Sequence, residues 1–182
     1  MALKNVVTPR GVAQYPWLTK PDTKFDADGV YKISLEMDTA SKECQDLCEK
    51  IREAFVEEFG QKKLAKAHLP FTDDEETGKT SFSFKSKMKP KLYNSKGQPI
   101  KNGEELKIGG GSICKVSFSG QPYDKGINTG VVLYLNGVQI IELVSFASGD
   151  GFGDEGDSFA PEDEGTGFSN ESGAEDDGNG DF

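Results

Sequence analysis

Residues 30–37 read VYKISLEM and residues 41–60 read SKECQDLCEKIREAFVEEFG, and these two stretches decide the fold class. Apolar residues alternate with polar ones through the first stretch, which predicts a β-strand with one buried face. In the second stretch the apolar residues recur at spacings of three and four, which predicts one amphipathic helix. Ser41 is the expected N-cap residue of that helix, and Gly60 is its expected stop signal.

Further short strands follow the helix. One alternating stretch begins at Ser81, and another covers residues 114–118. Residues 129–146 predict two strands, or one bent strand with Gly137 at the bend. Short strands divided by a single helix favour a mainly β fold over a parallel α/β sheet. We therefore predict an OB-fold-like, five-stranded, partly open barrel with one amphipathic α-helix.

The charge is divided unevenly along the chain. The sequence holds 31 acidic and 21 basic residues, but residues 149–182 contain 12 of the acidic residues and no Lys or Arg. We predict one folded domain over residues 1–148 and a disordered acidic tail over residues 149–182, because the tail shows no apolar periodicity. A weakly basic body with a polyanionic tail favours a polyanionic ligand, and a tail that only improves solubility is the alternative. The aromatic Phe182 favours the first interpretation.

Several function classes are disfavoured by the composition. The sequence has no run of 18 apolar residues, which argues against a membrane span. Cys44, Cys48 and Cys114 fall in apolar patterns without metal-ligand spacing, and we interpret them as reduced core thiols of a cytosolic protein. His68 is the single histidine and lies in a polar stretch. We therefore predict no metal site, no cofactor and no enzymatic activity.

A ladder of four lysines is the most informative pattern in residues 1–148. The strand that begins at Ser81 is predicted to run through them, so that the four lysines project from one face at intervals of about 6.5 Å while Phe82, Phe84 and Met88 anchor the opposite face in the core. That interval suits an extended, single-stranded phosphate backbone. The alternative is an edge strand that lysines protect against aggregation, and Pro90 fits both interpretations. The ladder comprises Lys85, Lys87, Lys89 and Lys91.

Aromatic side chains next to basic ones are the second requirement for binding an unpaired strand, because every base offers a face for stacking. Tyr15 and Trp17 lie in a segment that is too rich in Pro and Gln for a buried strand, and the alternative is that Trp17 caps the core. Tyr93 and Tyr123 lie in predicted turns. The stacking candidates are Tyr15, Trp17, Tyr93 and Tyr123, and the weaker phosphate candidates are Arg10, Lys20 and Lys115.

Several short fragments of the sequence, taken in the order in which they occur, match one protein family. They are YPWLTKPD at 15–22, GVYK at 29–32, FSFK at 82–85, NSKG at 94–97, IGGGS at 108–112, PY at 122–123 and EL at 142–143, followed by the acidic tail with GDF at 180–182. On these fragments the chain resembles the single-stranded DNA-binding proteins of T-odd podovirus phages (the T-seven group) and of related phages. It departs from them in a shorter connection between helix and strand and in only moderate basicity.

The resemblance implies an OB-fold barrel that binds single-stranded DNA without sequence preference and that coats and anneals it. It implies a role in phage DNA replication, recombination and repair in the cytoplasm of the infected bacterial cell. It also implies that the tail contacts the phage DNA polymerase and primase-helicase, competes with DNA for the basic groove and supports a homodimer. The alternative is an acidic protein that mimics DNA and blocks a basic partner. The tail residues expected to take part are Asp176, Asp177, Asp181 and Phe182.

Overall fold

Five strands close into a barrel, and three shorter strands and one long helix are added at its margins. The structure is a computed structural model that describes residues 2–145. Its strands are β1 (Leu3–Val7), β2 (Gly11–Asp22), β3 (Val30–Asp38), β4 (Phe71–Asp74), β5 (Lys79–Ser86), β6 (Lys91–Tyr93), β7 (Ile113–Lys125) and β8 (Asn128–Glu142). Its helices are α1 (Lys42–Phe59) and the short α2 (Gln61–Leu64), with a 3-10 turn at Gly103–Glu105.

The barrel is the ring β2-β3-β5-β8-β7, and the pairing of β7 with β2 completes the circuit. The seam between β5 and β8 consists of one parallel register pair, Lys85 with Tyr134. The seam between β2 and β7 consists of two register pairs. The barrel is therefore partly open at both seams. This arrangement confirms the predicted mainly β fold and its five-stranded, partly open barrel, which β1, β4 and β6 extend at the edges.

Alternation along the strands fills the barrel with apolar side chains. Phe82 and Phe84 of β5 and Phe118 of β7 are fully buried, and the rings of Phe84 and Phe118 have their centroids 5.3 Å apart. Burial of each such side chain contributes about 1.5–3 kcal/mol to folding. Ile51 and Phe55 on the apolar stripe of α1 pack into the same core.

The helix α1 begins and ends where the sequence predicts. The Oγ of Ser41 accepts the N–H of Cys44 at 3.2 Å, which satisfies one of the free donors of the first turn. Gly60 follows the last helical residue with a φ of 84°, a conformation that glycine adopts without strain. The N–H of Gly60 still donates to the carbonyl of Val56 at 2.7 Å.

The segment that carries Tyr15 and Trp17 is a strand with an exposed middle. The sequence predicts only that this segment is not a buried strand, and the structure shows how a proline fits into it. The register of β2 against β3 shifts between Gln14 and Trp17, and Tyr15 has a φ of 47°. This bulge accommodates Pro16, which has no N–H to donate, and leaves Tyr15 and Trp17 exposed.

The predicted lysine strand is wrong beyond Ser86. The strand β5 ends there, and the Oγ of Ser86 accepts the N–H of Met88 at 3.0 Å, which stabilises a bend. Pro90 lacks the N–H that continued pairing would require. Met88 is therefore exposed and not in the core as predicted, and Lys91 belongs to the separate strand β6. The four lysines do not form one ladder.

The long strands β7 and β8 form a hairpin that settles two other predictions. The strand β8 is one continuous strand with a register shift next to Gly137, which confirms the bent-strand alternative. Tyr123 lies in β7 and Tyr93 ends β6, so the predicted turn positions of these two tyrosines are wrong. Residues typical of turns, such as Asn94 after Tyr93 and Pro122 before Tyr123, lie next to both tyrosines. For this reason the local composition does not predict either strand.

All three cysteines are buried and free, as predicted. Burial raises the pKa of the Cys48 thiol to about 12 and that of the Cys114 thiol to about 11, so both are protonated at neutral pH. Among residues 2–145, no helix is both long and apolar enough to cross a membrane. The predicted tail, residues 149–182, lies outside the described residues, as does the end of the predicted last strand at Phe146.

Candidate nucleic-acid interface

A groove of about 1100 Å³ crosses the outer face of the barrel where β3, β5 and β8 meet. Lys32 of β3, Lys85 of β5 and Tyr134 of β8 line it. The strand register places Lys32 opposite Lys85, and Lys85 opposite Tyr134. These three residues therefore form one row across three neighbouring strands, which we call the floor row.

The two lysines of the floor row carry like charges on neighbouring strands. Like charges that face each other on neighbouring strands repel. Lys32 forms an ion pair with Asp22, whereas Lys85 forms none with any of residues 2–145. An anion above the row would relieve the repulsion that remains. The arrangement therefore favours the binding of a polyanion in this groove.

One wall of the groove is a segment that backbone hydrogen bonds fix to β8. The N–H of His68 donates to the carbonyl of Thr129 at 2.8 Å, and the carbonyl of His68 accepts the N–H of Val131 at 3.1 Å. Gly130 permits this approach, because a Cβ at that position would lie 2.2 Å from the His68 carbonyl oxygen. The exposed His68 side chain lines the groove itself.

The end of the β7–β8 hairpin continues this wall, because Tyr123 pairs with Gly130 on the other side of β8. Tyr123 and Lys125 of β7 line the groove there. Lys63 of α2 forms an ion pair with Asp124 at 2.6 Å, which ties α2 to the hairpin. This hydrogen bond from Lys63 and a second one from the N–H of Gly126 hold the pKa of the Asp124 carboxyl below its ordinary value.

A second concavity of about 440 Å³ adjoins the groove and shares Tyr15 and Lys32 with it. Its other lining residues are Trp17, Asp22, Thr23, Lys24 and Phe25. Tyr15 is 79% exposed and Phe25 is 85% exposed, which is high for aromatic side chains. Trp17 and Tyr134 are 42% and 44% exposed. Four accessible aromatic rings therefore lie along one connected surface, each within reach of a lysine.

Two lysines of the predicted ladder are engaged with carboxylates. Lys87 forms an ion pair with Asp26, and Lys89 forms one with Glu104 at 2.6 Å. These hydrogen bonds hold the pKa values of Asp26 and Glu104 below their ordinary range. Both lysines are thus partly neutralised, and we expect them to contribute less to phosphate binding than Lys85.

The remaining predicted residues are divided among other surfaces. Lys89, Lys91 and Tyr93 line a separate concavity of about 370 Å³ beside β8. Lys115 on β7 and Tyr93 on β6 both lie opposite Gln139, on either side of β8. Lys20 is exposed on β2 beyond Trp17.

Arg10 lies apart from the groove. It lines a depression together with Lys79 and three acidic residues, which are Glu36, Asp38 and Glu43. Carboxylates there would repel a phosphate backbone. The structure therefore brings Lys85, Tyr15 and Tyr123 together in the groove, with Trp17 in the adjoining concavity, and separates Arg10 from them.

Sequence reasoning missed several residues that line the groove or its extension. Lys32 and Tyr134 fall at outward positions of predicted strands, but an alternating pattern does not tell which strands are neighbours. Phe25 follows Lys24 in a loop rich in Asp. An aromatic residue in such a polar loop could have indicated an exposed ring available for stacking. The missed residues are Lys24, Phe25, Lys32, His68, Lys125 and Tyr134.

The predicted tail residues lie outside the described part of the chain, and their role stays a prediction. They are Asp176, Asp177, Asp181 and Phe182. Within residues 2–145, no group of three or more His, Cys, Asp and Glu side chains is placed to hold a metal ion.

Two phage proteins are similar to this chain along most of its length. A single-stranded DNA-binding protein of Enterobacteria phage T3 is 32% identical over 174 aligned residues, which cover 74% of each chain. A single-stranded DNA-binding protein of Escherichia phage T7 is 30% identical over 191 aligned residues, covering 82% of this chain and 81% of that protein. Comparison with protein-family models finds no match.

Solved structures show the same fold. The crystal structure of a single-stranded DNA-binding protein encoded by bacteriophage T7 superposes with a TM-score of 0.66 at 25% identity, covering 87% of this chain and all of that one. A single-stranded DNA-binding protein from bacteriophage Enc34, solved in complex with single-stranded DNA, superposes with a TM-score of 0.60 at 15% identity. That match covers 83% of this chain and 98% of the Enc34 chain.

Proposed function

The chain belongs to the family of phage single-stranded DNA-binding proteins, and from this premise we propose that it binds single-stranded DNA without sequence preference through the groove above the floor row. Its task in this proposal is to coat and anneal single strands during phage DNA replication, recombination and repair. That work belongs to the cytoplasm of the infected bacterial cell. The role is one of binding, without catalysis and without a cofactor.

The floor row is the observation that supports this function best. Lys32 and Lys85 face each other on adjacent strands, and Lys85 has no carboxylate partner among residues 2–145. A phosphate backbone that passes over the row would replace their mutual repulsion by attraction. Lys24 and Lys125 lie along the same connected surface. About four phosphates are therefore within reach of lysine side chains.

The exposed aromatic rings explain why the ligand should be single-stranded. Bases must be unpaired to stack on side chains, and stacking accepts every base because each has a π-face. Tyr15, Trp17, Phe25 and Tyr134 offer such faces along the groove and the second concavity. Duplex DNA conceals its base faces, so it would gain only the contacts to phosphate.

The titration of the intact chain with DNA tests this proposal. Trp17 is the single tryptophan and lies on the surface proposed to bind DNA, so its fluorescence reports binding. We expect tight binding to a single-stranded oligonucleotide and much weaker binding to the matched duplex. With about four phosphates neutralised, the slope of log affinity against log salt should be near −3, a loss of about 50–100-fold between 50 and 200 mM. Absence of binding at low salt would contradict the proposal and favour an acidic protein that mimics DNA.

We further propose that residues 149–182 compete with DNA for the groove. Their 12 carboxylates would occupy the lysines of the floor row when DNA is absent. An unstructured segment of this length spans about 30–35 Å, whereas a domain of about 148 residues has a radius of gyration near 15 Å, so the tail reaches the groove. Binding of DNA would release the tail, including Phe182, for the phage DNA polymerase, the primase-helicase or a second copy of the chain.

Truncation after Ser148 tests the competition. We expect the shortened protein to bind single-stranded DNA several-fold more tightly at low salt, because an intramolecular competitor acts at millimolar effective concentration. The gain should disappear as salt rises. Equal affinities of the two proteins at low salt would contradict competition by the tail.

A further inference from the structure

One carboxylate lies in the middle of the surface that carries the lysines. Asp22 ends β2, pairs in register with Val30, and lines the second concavity together with Lys24 and Lys32. Its side chain is only 10% exposed. A buried carboxylate is costly unless it is paired, and one next to a DNA backbone also repels the ligand. Attraction of DNA does not explain why a carboxylate lies at this position, so the reason lies in another role of Asp22, which its hydrogen bonds indicate.

Asp22 makes two hydrogen bonds that point to that reason. One of its oxygens accepts from the Nζ of Lys32 in an ion pair. The other accepts the backbone N–H of Lys24 at 2.9 Å, which fixes the turn that leads to Phe25. A single carboxylate thus holds a cation and a loop of the same surface.

Lys32 occupies the place where a fixed position matters most. It lines both the groove and the second concavity, and it faces Trp17 on β2 and Lys85 on β5. Its side chain is 39% exposed, and an ammonium group has three donors, so two remain for a phosphate after Asp22 has accepted one. A free lysine side chain would turn away from Lys85 and would lose its freedom on binding DNA.

We propose that Asp22 is a positioning residue that holds the Lys32 ammonium between the two concavities, so that a DNA backbone meets a cation already in place. Asp22 does not touch DNA in this arrangement. It acts through Lys32, and its contribution exceeds the repulsion between its own charge and the phosphates. This inference rests on the proposed function, because it concerns the same groove.

Substitution of Asp22 distinguishes two effects, the positioning of Lys32 and the repulsion between the Asp22 carboxylate and the phosphates of DNA. The amide of an Asp22→Asn variant still accepts the Lys24 N–H but loses the ion pair with Lys32. If charge alone matters, removal of a carboxylate strengthens DNA binding. If Asp22 positions Lys32, we expect the variant to bind single-stranded DNA about three- to tenfold more weakly.

Asp26→Asn is the matched control. Asp26 lies in the same loop and pairs with Lys87, an exposed pair outside the groove lining. The substitution removes the same charge and frees a lysine, so the affinity should stay equal or rise. Melting temperatures of both variants show whether each is folded.

A Lys32→Met background tests whether Asp22 acts through Lys32. We expect Asp22→Asn to cost no affinity in that background, because no ammonium remains to be positioned. The inference is overturned if Asp22→Asn alone binds as tightly as the wild type or more tightly. It is also overturned if the substitution weakens binding equally in both backgrounds. Failure of the wild type to bind DNA in the same titration would instead overturn the proposed function, and this inference with it.

Discussion

Tyr134 is a large aromatic residue at an outward-facing position of β8, where a polar residue would be usual. The neighbouring residues Leu133 and Leu135 are buried in the barrel, whereas Tyr134 is 44% exposed beside Lys85. A polar or charged residue at this position would serve solubility better than a large ring. An exposed ring next to a lysine that has no ion-pair partner within residues 2–145 is the combination that stacking on a base requires.

Removal of the ring should therefore weaken DNA binding. We expect Tyr134→Ala to lower the affinity for single-stranded DNA by about 1–3 kcal/mol, or roughly 5–150-fold. Tyr134→Phe keeps the ring and should bind nearly as the wild type does. Fluorescence titration of both variants at one salt concentration measures the difference. Equal losses in the two variants would show that the hydroxyl group matters and not the ring.

The sequence predicted part of the site at this scale. Lys85 and Tyr15, which line the groove, are among the predicted residues because a basic or aromatic residue in an exposed context is visible locally. Lys32 was missed because its value depends on Lys85, which lies 53 positions later and becomes its neighbour only through the pairing of β3 with β5. Residue patterns record the face of a strand, whereas the adjacency of strands is a property of the fold.

At the scale of elements, the groove depends on a wall that is fixed to β8 by backbone contact. The segment at His68 lies against Gly130 with no room for a side chain. Such closeness means that any larger residue at this position would force the backbone of the wall to shift. The α2 helix beside it is tied to the hairpin by the ion pair between Lys63 and Asp124.

Substitution of Gly130 should disturb this wall. A Cβ would lie 2.2 Å from the His68 carbonyl oxygen, so we expect Gly130→Ala to destabilise the protein by about 1–3 kcal/mol and to weaken DNA binding. Gly110→Ala is the control, because the nearest atom to its Cβ would be 3.7 Å away. Denaturant unfolding of both variants provides the measurement. Similar stabilities of the two variants would contradict the tight packing of the wall.

The tie between α2 and the hairpin should depend on pH. Because the pKa of Asp124 is lowered in the folded protein, its carboxylate stabilises the fold above the pKa of the unfolded chain, and this contribution is lost as the pH falls through the folded pKa. We expect the melting temperature of Asp124→Asn to lie below that of the wild type at pH 7. The difference should begin to shrink as the pH falls below about 4, the ordinary pKa of an Asp carboxyl, and should vanish only below the lowered pKa of the folded protein. A difference that stays constant down to pH 2.5 would contradict the assignment.

Helices and strands with a regular spacing of apolar residues were predictable from the sequence. Element ends that depend on a single side chain were not. The strand at 30–37 and the helix from Ser41 were found because their apolar periods persist over two or more turns or repeats. The end of β5 was missed because the alternation of lysines continues past the point where Ser86 and Pro90 stop the pairing. The sequence predicts that the segment around Pro16 is not a buried strand, but it does not show the bulge that places this proline inside β2.

At the scale of the whole molecule, charge is divided between a basic body and an acidic segment. Residues 1–148 hold 21 basic and 19 acidic residues, yet the described lysines of the groove lie together on one face of the barrel. The depression at Arg10 instead gathers carboxylates. Local clustering, and not net charge, therefore makes one face suitable for a phosphate backbone.

The central claim is that single-stranded DNA passes over the floor row. The salt dependence of DNA binding by the Lys85→Ala variant tests this claim most directly. Lys50→Ala is the control, since Lys50 is exposed on α1 and lines none of the described concavities. We predict that Lys85→Ala binds more weakly and that its log–log salt slope is shallower than that of the wild type by about 0.7, the loss of one phosphate contact. Lys50→Ala should keep both the affinity and the slope. If the two variants show the same affinity and the same slope as the wild type, DNA does not cross the floor row.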